Sequence, residues 1–423
     1  MNSMFSLFNR DKIINIDNPK SSIKLDPTIK LEKQVAEQIY NALQGQVVTE
    51  VLQQLNDSGS DVWWRSNMEG HSLKVAKELL PDMYELCNSV KEKLEFKDTV
   101  DFYITGDSTV NAFSVAAEKE GQPHIVNINS GLLSLMTQDE LKFVVGHELG
   151  HLINKDTSLS RLISFVFPEG STPPITLLYK IRLHSQLAEL VADRYGYMAT
   201  GNLEACVTAF FKMASGLDLQ KMNVSIDVLL KDNLKHLEYF LNDKGLSRAT
   251  HPVNPIRVQA INLFANSQSQ DVLDNDMEQL ISILLKVGNN EQDEHLARFI
   301  ATSGLLIANA DGNVSNEETD MIVENLASLK IFPMKFLEEI KKGDITEIFN
   351  DAVAKLMAIN PGLREGMLNY MIGIVMSDRN IAKEEMELLT HYGGKIGFSN
   401  IEIANMIAVA IQQRFMPSLA SIS

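Results

Sequence analysis

From Pro27 onward, Ile29, Leu31, Val35, Ile39, Leu43 and Val47 recur at helical spacing and predict one long amphipathic helix. Ser72–Leu94 carries a second such pattern, with Pro81 expected to kink or split it. Val100–Thr105 and His124–Asn129 alternate with the period of a strand, and Ser130-Gly131 closes the second run. Helical spacing then returns over Gln138–Asn154, Ile175–Ala199, Leu203–Ser215, Val224–Leu241 and Pro255–Ala265. The pattern predicts a mainly α fold with a small β-sheet. Residues 1–26 are polar and aperiodic, a leader or arm, and the domain that follows is expected over 27–265.

Asn266-Ser267-Gln268-Ser269-Gln270 opens an acidic stretch expected to be a linker over 266–291. Beyond it the pattern is helical throughout, an all-α domain over 292–423 with an internal repeat. Gly304–Ile322 and Met371–Leu389 align without gaps at an offset of 67, pairing Asp311 with Asp378, Asn313 with Asn380, Glu317 with Glu384 and Glu318 with Glu385. The Asp311 turn has Asn316 where a calcium loop needs glycine and Ile322 where it needs an acid, so it is not an EF-hand. Ser315 as helix cap and Glu318 as the return of a capping box account for it instead, and metal binding by the acidic repeats is the weaker reading.

Charge narrows the function classes. The chain carries 38 Lys+Arg against 55 Asp+Glu, a formal charge of −17, which disfavours nucleic acid or an anionic membrane as partner. From Asp271 onward the count is 12 against 23, so the C-terminal part is a distinct acidic block. No stretch approaches the roughly 18 apolar residues of a membrane span, and no signal-peptide pattern opens the chain. Cys87 and Cys206 stand alone, which suits a reducing compartment and argues against both a disulfide framework and a thiolate metal site. A cytoplasmic, bacterial protein is the expectation.

The candidate chemistry is concentrated in His147-Glu148-Leu149-Gly150-His151, inside a predicted helix. Histidines at i and i+4 share a face and can reach one metal, and Glu148 falls beside them, where it can take a proton from metal-bound water. The other reading, two merely solvated or buried helix histidines, is disfavoured by the apolar remainder of that helix (Leu141, Val144, Val145, Leu149, Leu152). Glu189 and Asp193 lie one turn apart on a later helix; alone such a pair reads as a solvated acidic edge, but this helix is largely apolar, where carboxylates need a partner. Glu189 can be a third ligand, and Asp193 can accept a hydrogen bond from a ligating histidine. His71, His124, His184, His236, His295 and His391 lack ligand spacing.

These residues, with Ser185–Gly196 as a block, resemble the HtpX-like and CAAX-prenyl-protease type I family of zinc metallopeptidases. Val110–Phe113, Ser130–Leu133, Gln138–Leu141 and Thr250-His251-Pro252 followed by Arg257 extend the likeness, in order, over roughly 70–265. The resemblance implies an α+β gluzincin-type domain with one Zn2+ per chain held by His147, His151 and Glu189, and a protein or peptide as substrate. It implies Asp193 beside the ligands and His251 facing the metal as a catalytic group or reversible ligand. Arg257 either pairs with Asp193 or Glu189 or lies on the surface. Asn111 and Phe113 are cleft candidates, with Phe113 equally placed for the core. The strand His124–Asn129, with Val126 and Asn127, is read as an edge against which an extended peptide can lie. Many family members are embedded in membranes, whereas the stretch between His151 and Glu189 is short and broken by Pro168 to Pro174, a lid or loop. That loop or His251 could hold the enzyme latent. The C-terminal repeat resembles the tellurium-resistance TerB-like helical domain, which implies a module for a protein partner. The alternative function is an interaction protein acting through that module, with a structural or vestigial zinc site.

Overall fold

The computed structural model describes residues 25–57, 63–117, 121–168, 171, 173, 175–219, 221–222, 224–242, 252–287, 291–308, 310, 343–376 and 382–420. They divide into two compact units, one holding most of the chain up to Leu284 and the other holding Leu285 onward.

In the first unit, the single N-terminal helix expected from periodicity is two, α1 (Lys30–Ala42) and α2 (Gly45–Asp57). The break falls at Gln44, which takes a left-handed φ of 53°. Tyr40 lies so close over Gly45 that a Cβ there would overlap its ring, so the next helix must start at a glycine. After α3 (Trp63–His71) and the short strand β1 (Leu73–Lys74), α4 runs Pro81–Lys93. Pro81 starts that helix rather than kinking one: it occupies the first turn, where a missing N–H costs nothing.

Strands β2 (Val100–Thr105), β3 (Ala112–Val115) and β4 (His124–Asn129) complete a four-stranded sheet of order β1-β2-β4-β3. β4 runs parallel to β2, Val100 opposite His124, and antiparallel to β3, Phe113 opposite Asn127. The edge-strand expectation for His124–Asn129 is therefore corrected: β4 is flanked on both sides, and the edge beside it is β3. β1 and β3 were missed because two and four residues are too few to show a period.

Helices α5 (Ser130–Leu135), α6 (Gln138–Ile153), α7 (Asp156–Val166), α8 (Ile175–Thr200), α9 (Leu203–Ser215), α10 (Ile226–Asn242) and α11 (Asn254–Asn266) follow. The core joins β2 and β4 through Phe102, Val126 and Ile128 to Phe143, Val145 and Leu149 of α6 and Phe210 of α9. The acidic stretch expected as a linker over 266–291 contains α12 (Gln270–Val287), with Leu273, Met277, Leu280 and Ile281 buried on one face. Its apolar spacing was masked by the acids on the other face. The N-terminal segment is tied to α8 by Arg194, which is buried and donates through Nη1 to the carbonyls of Pro27 and Thr28, 3.1 Å each.

In the second unit α13 (Glu291–Ala308), α14 (Ile345–Ile359), α15 (Arg364–Val375), α16 (Lys383–Lys395) and α17 (Asn400–Ala420) surround an apolar core that includes Phe299, Phe349, Leu368, Met371 and Tyr392. Of the repeat, the Asp311 turn and Asp378–Asn380 lie outside the described residues. In the second copy Glu385 accepts from the backbone N of Ala382 at 2.8 Å, the return bond of a capping box. Among the described residues no helix is long and apolar enough to cross a membrane.

Candidate metal centre

The centre is built on the contact of α6 with α8. Thr137 caps α6, its hydroxyl accepting from Glu140 N at 3.4 Å while the Glu140 carboxylate accepts from Thr137 N at 2.6 Å. Glu140 is then buried against Lys212 of α9, whose Nζ donates to it at 2.8 Å. Gly146 and Gly150 let α8 approach: a Cβ at Gly146 would stand 2.4 Å from the Ala199 methyl, and one at Gly150 would stand 3.0 Å from the Ala192 Cα. That approach brings Glu189 and Asp193 of α8 against the histidine face of α6.

The Nε2 atoms of His147 and His151 are 3.2 Å apart, and the Glu189 carboxylate lies 3.6 Å from the first and 3.5 Å from the second. Behind each ring stands a carboxylate. His147 Nδ1 is 2.9 Å from Asp193 Oδ1, and His151 Nδ1 is 2.9 Å from Asp156 Oδ2. An ionised carboxylate can only accept, so each Nδ1 carries a proton and each Nε2 is the ring nitrogen turned toward Glu189. Three converging donors at this spacing suit a cation bonded at about 2.0–2.2 Å to each, and two imidazoles with one carboxylate are a donor set that zinc accepts. The residues present therefore fit a resident zinc ion.

Arg257 of α11 closes the far side. Its Nε donates to Asp193 Oδ2 at 2.8 Å and its Nη2 to Asp193 Oδ1 at 2.6 Å, and Nη2 also lies 3.1 Å from Glu189 Oε2. The guanidinium stacks 4.7 Å over the Phe210 ring. Burial works to raise the Glu189 carboxyl, but the Arg257 charge, the hydrogen bond from His151 and both imidazoles hold it well below the usual range. Burial likewise opposes a charged His151, yet the bonds to Asp156 and Glu189 raise it well above an ordinary histidine. The field is set for a positive charge at the Nε2 atoms.

Glu148, 7% exposed, lines with His147, His151 and Glu189 a cleft of about 1040 Å³. Asn111 and Phe113 also line that cleft, with Trp64 tilted against Phe113 at a 5.5 Å centroid distance. Val126 and Asn127 do not line it. Val126 is core, and the buried Asn127 amide accepts from Thr105 Oγ1 and donates to Asn129 Oδ1. Their reading as cleft residues fails because β4 is an inner strand. His251 lies outside the described residues. Two participants were missed. Asp156 follows His151 by five positions through Lys155, whose left-handed φ of 63° turns the chain back, a bend with no glycine to announce it. His184 was set aside for lack of spacing, yet it is buried beside Asp156, Nε2 to Oδ1 3.7 Å.

The sequence profile of Peptidase family M48 matches residues 81–264. Over those residues the chain is similar to that family, and the likeness supports a metalloprotease. The similarity to individual proteins is distant. The plastoglobule-localized metallopeptidase 48 of Arabidopsis thaliana is 24% identical over 213 residues, covering 47% of this chain and 61% of that protein. A protease HtpX homolog of Gemmatimonas aurantiaca is 25% identical over 223 residues, 45% of this chain and 78% of that protein. Another from Trichormus variabilis is 30% identical over 83 residues, 20% of this chain and 28% of that protein. The chain thus spans about three-fifths of the length of the Arabidopsis relative, and the family profile ends at residue 264, before the C-terminal unit. No solved structure matches.

Proposed function

We propose that this chain is a zinc-dependent endopeptidase in which His147, His151 and Glu189 hold one zinc ion and Glu148 is the general base. The observation that carries the proposal is the convergence of two imidazole Nε2 atoms and a carboxylate in a cleft that Glu148, on the same helix, also lines. Held by these three residues, zinc would supply acidification of a water molecule and polarisation of the scissile carbonyl. Glu148 accepts the proton of the attacking water and returns it to the leaving amine. Asp193 and Asp156 hold the rings in the tautomer that leaves Nε2 open, and Arg257 holds Asp193 and Glu189 in place. An extended substrate pairs with the β3 edge, in line with Asn111–Ala116 lining the cleft. His251 is the residue proposed to face the reacting carbonyl, on the strength of the His-Pro motif. The substrates are proteins or peptides of the cytoplasm, and the C-terminal unit is a TerB-like module that binds a protein partner and regulates the enzyme.

The test is Glu148→Gln. Peptide-library cleavage is expected to fall by about 10²–10⁴-fold with zinc content unchanged. Zinc lost along with activity would instead make Glu148 part of the metal's support, and unchanged cleavage would remove it from the mechanism.

A further inference from the structure

Next to the centre lies a second convergence of ligand-type side chains. Glu32 of α1, Asp156 of α7 and His184 of α8 each offer one donor atom, all within 4.8 Å of one another, and all three residues are buried. His184 Nε2 is 2.9 Å from Glu32 Oε1 and 3.7 Å from Asp156 Oδ1. The three come from separate elements across 152 positions of chain, so no local helix geometry forces them together. A second observation points the same way: Glu32 is 2% exposed, and its Oε2 has no hydrogen-bond partner. A carboxylate oxygen enclosed without a donor is costly unless a cation meets it.

We propose that Glu32, Asp156 and His184 form a second divalent-metal site, distinct from the one under Proposed function and joined to it through Asp156. Asp156 has an oxygen for each: Oδ2 faces His151, and Oδ1 faces His184 while accepting from Asn154 Nδ2 at 2.8 Å. One imidazole with two carboxylates suits Zn2+, or Mn2+ through the carboxylates, better than calcium or magnesium, which favour all-oxygen sites. Asp156 and His184 line both the main cleft and a second cavity of about 730 Å³ beside α1, so an ion has a route in. The bound ion clamps α1, through Glu32, onto α7 and α8.

The test is metal stoichiometry on the full chain. Metal-stripped protein is titrated with Zn2+ and, separately, Mn2+, then analysed for bound metal after gel filtration. Two equivalents are expected for wild type with at least one of the ions. One is expected for Glu32→Gln and for His184→Gln, and one for His147→Ala, which keeps the second site. Wild type binding a single equivalent that Glu32→Gln retains would overturn the proposal while leaving the first centre intact. A His147→Ala protein that keeps the wild-type count would indict the first centre instead. Should the Glu32 and His184 variants fail to fold, the separate Zn2+ and Mn2+ titrations of His147→Ala decide: one bound equivalent of either ion supports the site, and none of either refutes it.

Discussion

The two units bury different things. In the first, charge goes inside: Arg257 with Asp193 and Glu189, Lys212 with Glu140, and Glu32 with His184 are all withdrawn from water. In the second, the described core is mainly aliphatic and aromatic; its buried Glu385 caps a helix, His295 stands beside the exposed Glu291, and its buried hydroxyls are satisfied locally. Thr302 and Ser303 donate to carbonyls one turn back, at 2.6 Å each. Buried ion pairs are poor stabilisers, because desolvation consumes most of the Coulombic gain. Their concentration around the histidines of α6 is thus the mark of chemistry, and the second unit carries an ordinary core.

Breaking that comparison at its strongest point means removing one member of a buried pair. Asp193→Ala removes the two-bond partner of Arg257, leaving it only Glu189, and is expected to cost about 3–5 kcal/mol in denaturant unfolding. It is also expected to weaken metal binding about 10–100-fold, because His147 loses its orienting acceptor. Phe349→Ala, in the core of the second unit, should cost a similar 3–5 kcal/mol or so while leaving metal affinity unchanged. Equal loss of metal affinity in both variants would erase the distinction between the units. A smaller effect is expected at the helix contact. Gly146→Ala forces α6 and α8 apart and should cost about 1–3 kcal/mol, with metal affinity lowered as Glu189 withdraws from the imidazoles. The smallest effect concerns the thiols. Burial pushes Cys87 up to about 12 and Cys206 well above its ordinary value. Neither should be alkylated by iodoacetamide in the folded protein at pH 8, and both should be in denaturant; rapid labelling of the native protein would show that this core opens.

The sequence made the α6 histidines, Glu189 and Asp193 legible because helix periodicity alone puts i and i+4 on one face. Leu203–Ser215 was readable to the residue, having an Asn202 cap and Gly216 as its stop at a positive φ. What was not legible depends on tertiary position. Nothing local distinguishes Glu32 or His184 from solvated helix residues, and only the folding of α1 against α7 and α8 joins them. The acids of α12 hid a helix behind a linker-like composition. The assignment of β4 as an edge failed because β3 is too short to announce itself.

The most direct test of the central claim is anomalous diffraction at the zinc edge from crystals of the zinc-loaded full chain. A peak bonded to His147 Nε2, His151 Nε2 and the Glu189 carboxylate, with Glu148 beside it and unbound, is the predicted result. No peak at that position, or one ligated by Glu148 in place of Glu189, would contradict the account.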